Sequence, residues 1–182
     1  HEIAGMAARV VQVGDPGLTP DEDTYLSRGK RRVDASGATL ESLLAAAEVI
    51  VDGRPRTAPV DPSAEAIRDR HPRAVITAIT PFGLAGPHAA HKVTNIVSFA
   101  NGGIMALTGE RDREPLQTFA EQAFMLGGLH AFAATVTALV GALLQEEGDL
   151  LDISMQECAA SMLEYCAAAW EYESLLVERS GN

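Results

Sequence analysis

One carboxylate, Glu121, stands at the mouth of the longest charge-free run in the chain, within Thr118-Phe-Ala-Glu-Gln-Ala-Phe-Met-Leu-Gly-Gly-Leu-His130. A carboxylate at a helix N-terminus is held ionised by the local field and is open to a substrate, so Glu121 is a candidate nucleophile. The spacing Thr118-x-x-Glu121 also forms a capping box, in which the carboxylate reaches back to the Thr118 N–H and does no chemistry. Spacing alone favours the cap. Ser154 follows an expected strand and precedes an expected helix, but Ile153 and Met155 flank it and the G-x-S-x-G pattern of a nucleophile elbow is absent. With Glu157 three residues on, it reads as another helix cap. His88 and His91 could share a metal by spacing, yet no acidic or Cys ligand lies beside them, and no metal is expected. His130, inside the apolar run, reads as a hydrogen-bonded core imidazole.

Anion binding has one basic cluster to work with, Arg28-Gly-Lys30-Arg31-Arg32, which holds phosphates of a small ligand or is a solvated loop. The segment Val10-Val-Gln-Val-Gly14-Asp-Pro-Gly17 lacks the glycine spacing that brings a helix N-terminus to a pyrophosphate, and no Walker A sequence occurs. A formal charge of -11 over 182 residues argues against nucleic acid and anionic membrane as partners, because both require clustered Lys and Arg. Cys158 and Cys166 fit neither a disulfide framework nor a paired metal motif, and the start at His1-Glu2 has no secretory pattern. A cytoplasmic location is the expectation. Residues 123–144 carry no charge and are long enough to span a bilayer, but Glu121, Glu146, Glu147 and Asp149 flank them where Lys or Arg anchors belong. A fully buried core helix is expected instead.

These residues need a scaffold, and the pattern supplies one. Residues 9–13, 48–51 and 73–80 read as short apolar strands. Between them, residues 14–29 read as an extended loop, Thr39 caps a helix through about Ala47, and Asp61 or Ser63 starts a helix ending near His71-Pro72. Helices are expected near 92–100, over about 120–145, and from Met155 to Val177, with a further strand at 150–154. Strands alternating with helices imply parallel pairing: an α/β fold with an open, Rossmann-like, mostly parallel sheet covered by helices on both faces. The loop Pro81-Phe-Gly-Leu-Ala-Gly-Pro87 then lies at the C-terminal end of a strand, where open α/β sheets bind ligands.

Several stretches together resemble the class III CoA-transferases, the CaiB/BaiF family that includes formyl-CoA transferase. Val10-Val-Gln-Val13 with Pro16 resembles the family's first strand, Gly29-Lys30-Arg31 its GKR approach, and Ala47-Glu-Val-Ile-Val-Asp52 its ADVVVEN strand. His71-Pro-Arg-Ala-Val-Ile76 is similar to NPRLI, Phe82-Gly-Leu-Ala-Gly-Pro87 to FG-x-x-GP, and Asn101-Gly-Gly103 through Thr108-Gly109 and Pro115 to SGLMSVTG…P. Gly148-Asp-Leu-Leu-Asp-Ile-Ser-Met-Gln-Glu157 resembles the family's VDVSMQEA end.

The resemblance implies transfer of CoA from an acyl-CoA to a free carboxylic acid. An aspartate attacks the thioester carbonyl, a mixed anhydride stores the energy, and the retained CoA re-forms a thioester with the acceptor. It implies that 1–182 is a single α/β domain, incomplete relative to a family whose chains carry a further small domain and interlock as dimers. The partner is then an identical or a paralogous subunit. Asp52 and Gly53 match the edge that meets the adenosine end of CoA, Phe82 and Gly83 match a wall near its pantetheine arm, and Lys30, Arg31 and Arg54 are the phosphate candidates. The family's aspartate stands four residues before a glycine in a D-x-x-x-G-x-H pattern. Gly128 and His130 match it, but Phe124 occupies the aspartate position, with Glu121 one helical turn earlier. Three readings follow: a transferase using Glu121 or a carboxylate from elsewhere, a degenerate subunit that lends fold, CoA binding and interface to an aspartate-bearing partner, and a CoA-thioester binding module with no transfer activity.

Overall fold

A computed structural model describes residues 8–14 and 17–181 of the chain. His1, Glu2 and Pro16, which entered the sequence reading, lie outside them. The chain divides into two compact units, His1–Ala47 and Glu48–Asn182.

In the first unit, β1 (Val10–Val13) and β2 (Lys30–Val33) pair in parallel, Val13 opposite Val33. The expected loop over 14–29 contains a helix, α1 (Pro20–Leu26). Its signals are local: Thr19 caps the Glu22 N–H, the Glu22 carboxylate returns to Thr19 N at 2.9 Å, and Pro20 occupies the first turn. The basic cluster is partly strand, and Arg32 is ion-paired with Asp23. Helix α2 (Gly37–Ala46) starts after Ser36, not at Thr39.

The second unit is built on a parallel three-stranded sheet in the order β3 (Val49–Asp52), β4 (Val75–Thr80), β5 (Leu150–Ser154). Helix α3 (Ala64–Arg70), capped by Ser63, packs on β4 and β5. Val75, Ile76, Thr77 and Ala78 of the central strand are all buried, so both faces of β4 are covered. Helix α4 (Asn95–Asn101) begins three residues later than Lys92, and a single 3-10 turn follows at Ile104–Leu107.

The long helix α5 (Gln122–Gln145) packs on β4 and β5, its Thr135 hydroxyl 2.6 Å from that of Thr77. Two expectations about α5 are corrected. It is not buried all round: Ala123, Gly127, Ala131 and Thr135 form one buried stripe, while Met125, Leu129, Val140, Leu143 and Leu144 are exposed. Small residues four apart bring the helix close to the sheet and leave its wider apolar surface uncovered. By length and composition alone, this is a helix able to cross a membrane. Nor is there a Thr118–Glu121 capping box: Glu121 is itself the N-cap and makes no side-chain capping bond. The expected terminal helix is two, α6 (Met155–Ser161) and α7 (Glu164–Glu173), broken at Met162–Leu163.

Candidate functional site

Two places in the second unit collect the candidate residues. The first is at the C-terminal ends of β3 and β4. Asp52 ends β3 with only 4% of its surface exposed. Its carboxylate accepts hydrogen bonds from Arg54 N (3.0 Å), Nε (2.8 Å) and Nη2 (2.9 Å), and from Arg56 Nη2 (2.8 Å). Burial would push the Asp52 carboxyl up, but the Arg54 hydrogen bonds and the charges of Arg54 and Arg56 outweigh it and hold the group below the usual aspartate range. Arg54 also donates to Pro62 O at 2.7 Å, so its guanidinium ties residues 52–62 together.

Arg56 is different. Its side chain is only 12% exposed, and its Nε is buried without a partner. It lines a cavity of about 480 Å³ together with Val60, Ser63 and Glu65 from the chain after β3 and Leu84 and Ala89 from the chain after β4. The glycine-proline loop after β4 and the segment after β3 therefore share one cavity. In that loop the Phe82 ring lies 5.9 Å from the His88 ring and 6.3 Å from that of His91, and the two histidine Nδ1 atoms are 3.3 Å apart. The histidines pack against Phe82 and each other. Among the described residues no group of three or more His, Cys, Asp or Glu is placed to hold a metal.

The second place is the N-terminus of α5. Buried Asn95 caps it from α4, accepting from Ala123 N at 2.9 Å and donating to Ala120 O at 3.1 Å. This bridge takes over the role that spacing assigned to Thr118 and Glu121. Glu121 is left exposed, and Phe124 in the first turn is 36% exposed. Alongside lies a cavity of about 530 Å³ lined by Phe99, Leu107, Met125, Leu129 and Tyr165, with Thr118 and Gln122 among its few polar groups and no charged residue. His130 lies farther along α5 and is hydrogen-bonded as expected, Nδ1 2.9 Å from Leu126 O and Nε2 3.3 Å from Ser161 Oγ, but it is half-buried and not in the core.

The profile of CoA-transferase family III matches residues 26–182, most of the chain. The chain belongs to that family. Among similar proteins are a succinate–glutarate CoA-transferase of Agrobacterium fabrum, 27% identical over 145 residues, and subunit BbsE of a succinyl-CoA:(R)-benzylsuccinate CoA-transferase of Thauera aromatica, 30% identical over 110 residues. These alignments cover 75% and 60% of this chain but 36% and 27% of those proteins. The crystal structure of a CaiB/BaiF family protein from Brucella suis superposes with a TM-score of 0.82 at 25% identity, covering 96% of this chain and 53% of that one. The chain thus spans about half or less of the length of these relatives.

Within this family III chain, the structure joins Asp52, Gly53, Arg54, Phe82 and Gly83 to the two segments that border one cavity. Lys30 and Arg31 lie on β2, in the other compact unit. Sequence reasoning missed Arg56 and Asn95. Arg56 carried a faint signal, since it lies four residues after Asp52 in a Pro-bearing segment. Asn95 carried none, because the N–H it caps, that of Ala123, is 28 residues away.

Proposed function

We propose that this chain is the larger-domain portion of a CoA-transferase, and that it holds CoA at the cavity beyond the C-terminal ends of β3 and β4. The supporting observation is Arg56, a nearly enclosed guanidinium with an unpartnered Nε at a cavity that both CoA-matching segments border. A phosphate is the natural acceptor for such a group. Asp52 acts as the counter-ion that holds Arg54 and Arg56 in place, and it does not touch the ligand. The reaction we assign moves CoA between an acyl-CoA and a small carboxylic acid. An enzyme carboxylate attacks the thioester carbonyl, the C–S bond breaks with CoA leaving as thiolate, and an acyl-carboxylate anhydride remains. The acceptor carboxylate then attacks the enzyme-side carbonyl of that anhydride and displaces the donor acid, which leaves as its carboxylate, and the retained thiolate attacks the acceptor-side carbonyl of the new anhydride, giving the product thioester and freeing the enzyme carboxylate. The assembly is a dimer whose second subunit completes the site.

The test is calorimetry with CoA, then turnover with a panel of free acids. Arg56→Ala is expected to weaken CoA about tenfold or more, the scale of one charged hydrogen bond. Unchanged affinity would refute the assignment of the cavity.

A second reading, a degenerate subunit with an aspartate-bearing partner, is favoured by Phe124. An apolar ring occupies the first turn of α5 where the family resemblance places the nucleophile. Glu121 makes no capping bond, so it is free to react, but it sits at a different position on the turn. Hydroxylamine trapping during turnover separates the two: a labelled Glu121 peptide supports this chain as nucleophile donor, and label confined to a partner supports the degenerate subunit.

A further inference from the structure

We propose that Asp152 is a positioning residue for CoA: it fixes the wall of the cavity that carries Leu84. This rests on the reading of that cavity as the CoA site. Asp152 lies in the middle of β5, opposite Ala78 of β4, and its side chain is exposed. Aspartate is depleted in strands, so its presence here breaks a local preference and asks for a compensating contact. That contact is a hydrogen bond of 2.8 Å from Leu84 N to Asp152 Oδ2, spanning 68 residues.

The bond acts where the loop is least determined by its own chemistry. Gly83 has φ +90, and Gly86 has φ +105, conformations that side-chain-bearing residues rarely adopt. A Cβ on Gly83 would stand 3.4 Å from Asp152 Oδ2, so carboxylate and loop backbone are in direct contact. At the first residue of the loop, Pro81 O accepts from Gln156 N at 3.1 Å, so β5 and the start of α6 hold the segment at two points. Leu84 lines the cavity. Losing its anchor frees two glycine-rich turns, and ligand binding must then order them.

Charge and position make opposite predictions. If the carboxylate mattered through its charge, it would repel an anionic ligand, and its neutralisation would tighten binding. If it matters as an acceptor for Leu84 N–H, Asp152→Asn keeps affinity because the amide oxygen replaces Oδ2, whereas Asp152→Val, a better strand former, loses it.

The experiment is calorimetry of CoA on the full-length protein containing this chain, with amide hydrogen exchange at Leu84 without ligand. We expect Asn within about 3-fold of wild type, and Val weaker by about 10-fold with faster Leu84 exchange and an unchanged melting temperature. Val binding CoA like wild type, or Asn as weak as Val, overturns the proposal. Wild type failing to bind CoA overturns the site assignment itself, and Leu84 exchange unaffected by Val overturns the anchoring independently of any ligand.

Discussion

Asp52 and its two arginines set a structural ion pair beside the proposed phosphate-binding group, Arg56, within five residues. Removing the carboxylate leaves Arg54 and the nearly enclosed Arg56 without their shared counter-ion, so Asp52→Ala should destabilise the fold by about 3 kcal/mol, measured by denaturant unfolding. The pH dependence follows from the lowered carboxyl. A depressed folded-state pKa stabilises fully above the unfolded value, about 3.9, and the contribution is lost as pH falls through the lower folded value. Wild type should therefore lose stability on acidification through that window more steeply than the Ala variant. At the α5 terminus, Asn95→Ala should cost about 1–2 kcal/mol, the range for a lost helix cap, while Glu121→Gln leaves the melting temperature unchanged. The Thr118-x-x-Glu121 spacing pointed to the wrong residue because a cap supplied from 28 residues away has no local signature. The cap at Ser154 was legible because its partner is a sequence neighbour: the hydroxyl accepts from Glu157 N at 3.3 Å.

At the scale of elements, four of the five strands were readable because they are short, largely apolar runs ended by turn residues, whereas β2, Lys30-Arg-Arg-Val33, carries three basic residues and gave no such signal. The helices were readable only where one face differs from the other. Helix α5 is apolar all round, so its composition hid which face meets the sheet. The distinguishing feature is the four-residue repeat of small side chains at 123, 127, 131 and 135. That stripe predicts that Ala131→Leu overpacks the contact with the sheet and costs about 1–3 kcal/mol, whereas the same enlargement on the exposed face has no such cost. A second tight contact lies between α4 and α6: a Cβ on Gly102 would stand 2.4 Å from Ala159 Cβ. Gly102→Ala is expected to lower the melting temperature by several degrees. The division of the last helix at Met162–Leu163 was not legible, because neither Gly nor Pro marks it and the break is set by tertiary packing. Helix α1 was legible in retrospect: Thr19-Pro-Asp-Glu22 is a full start signal inside a segment read only for its turn residues.

For the whole molecule, the parallel α/β architecture was evident from element order, and the family from colinear motifs. The site was only half evident, since the segments that meet at it could be named but not the guanidinium between them. The uncovered apolar surface of α5 and α7, including Leu143, Leu144, Trp170 and Tyr172, sits on a chain of charge -11. Exposed apolar patches of this kind promote association. The 182-residue chain alone should self-associate in sedimentation experiments, and Leu143→Glu with Leu144→Glu should reduce it. The parallel pairing of β4 with β5 also sets an order in time. During synthesis, β3, β4 and both loops around the cavity emerge before β5 exists, and the partner of Leu84 arrives 68 residues later, about 3–14 s at ordinary elongation rates. Until then the cavity has its arginine but no anchored wall. On the CoA site proposed above, affinity in a nascent chain would therefore appear as a step at the emergence of β5, and CoA would report when this sheet closes.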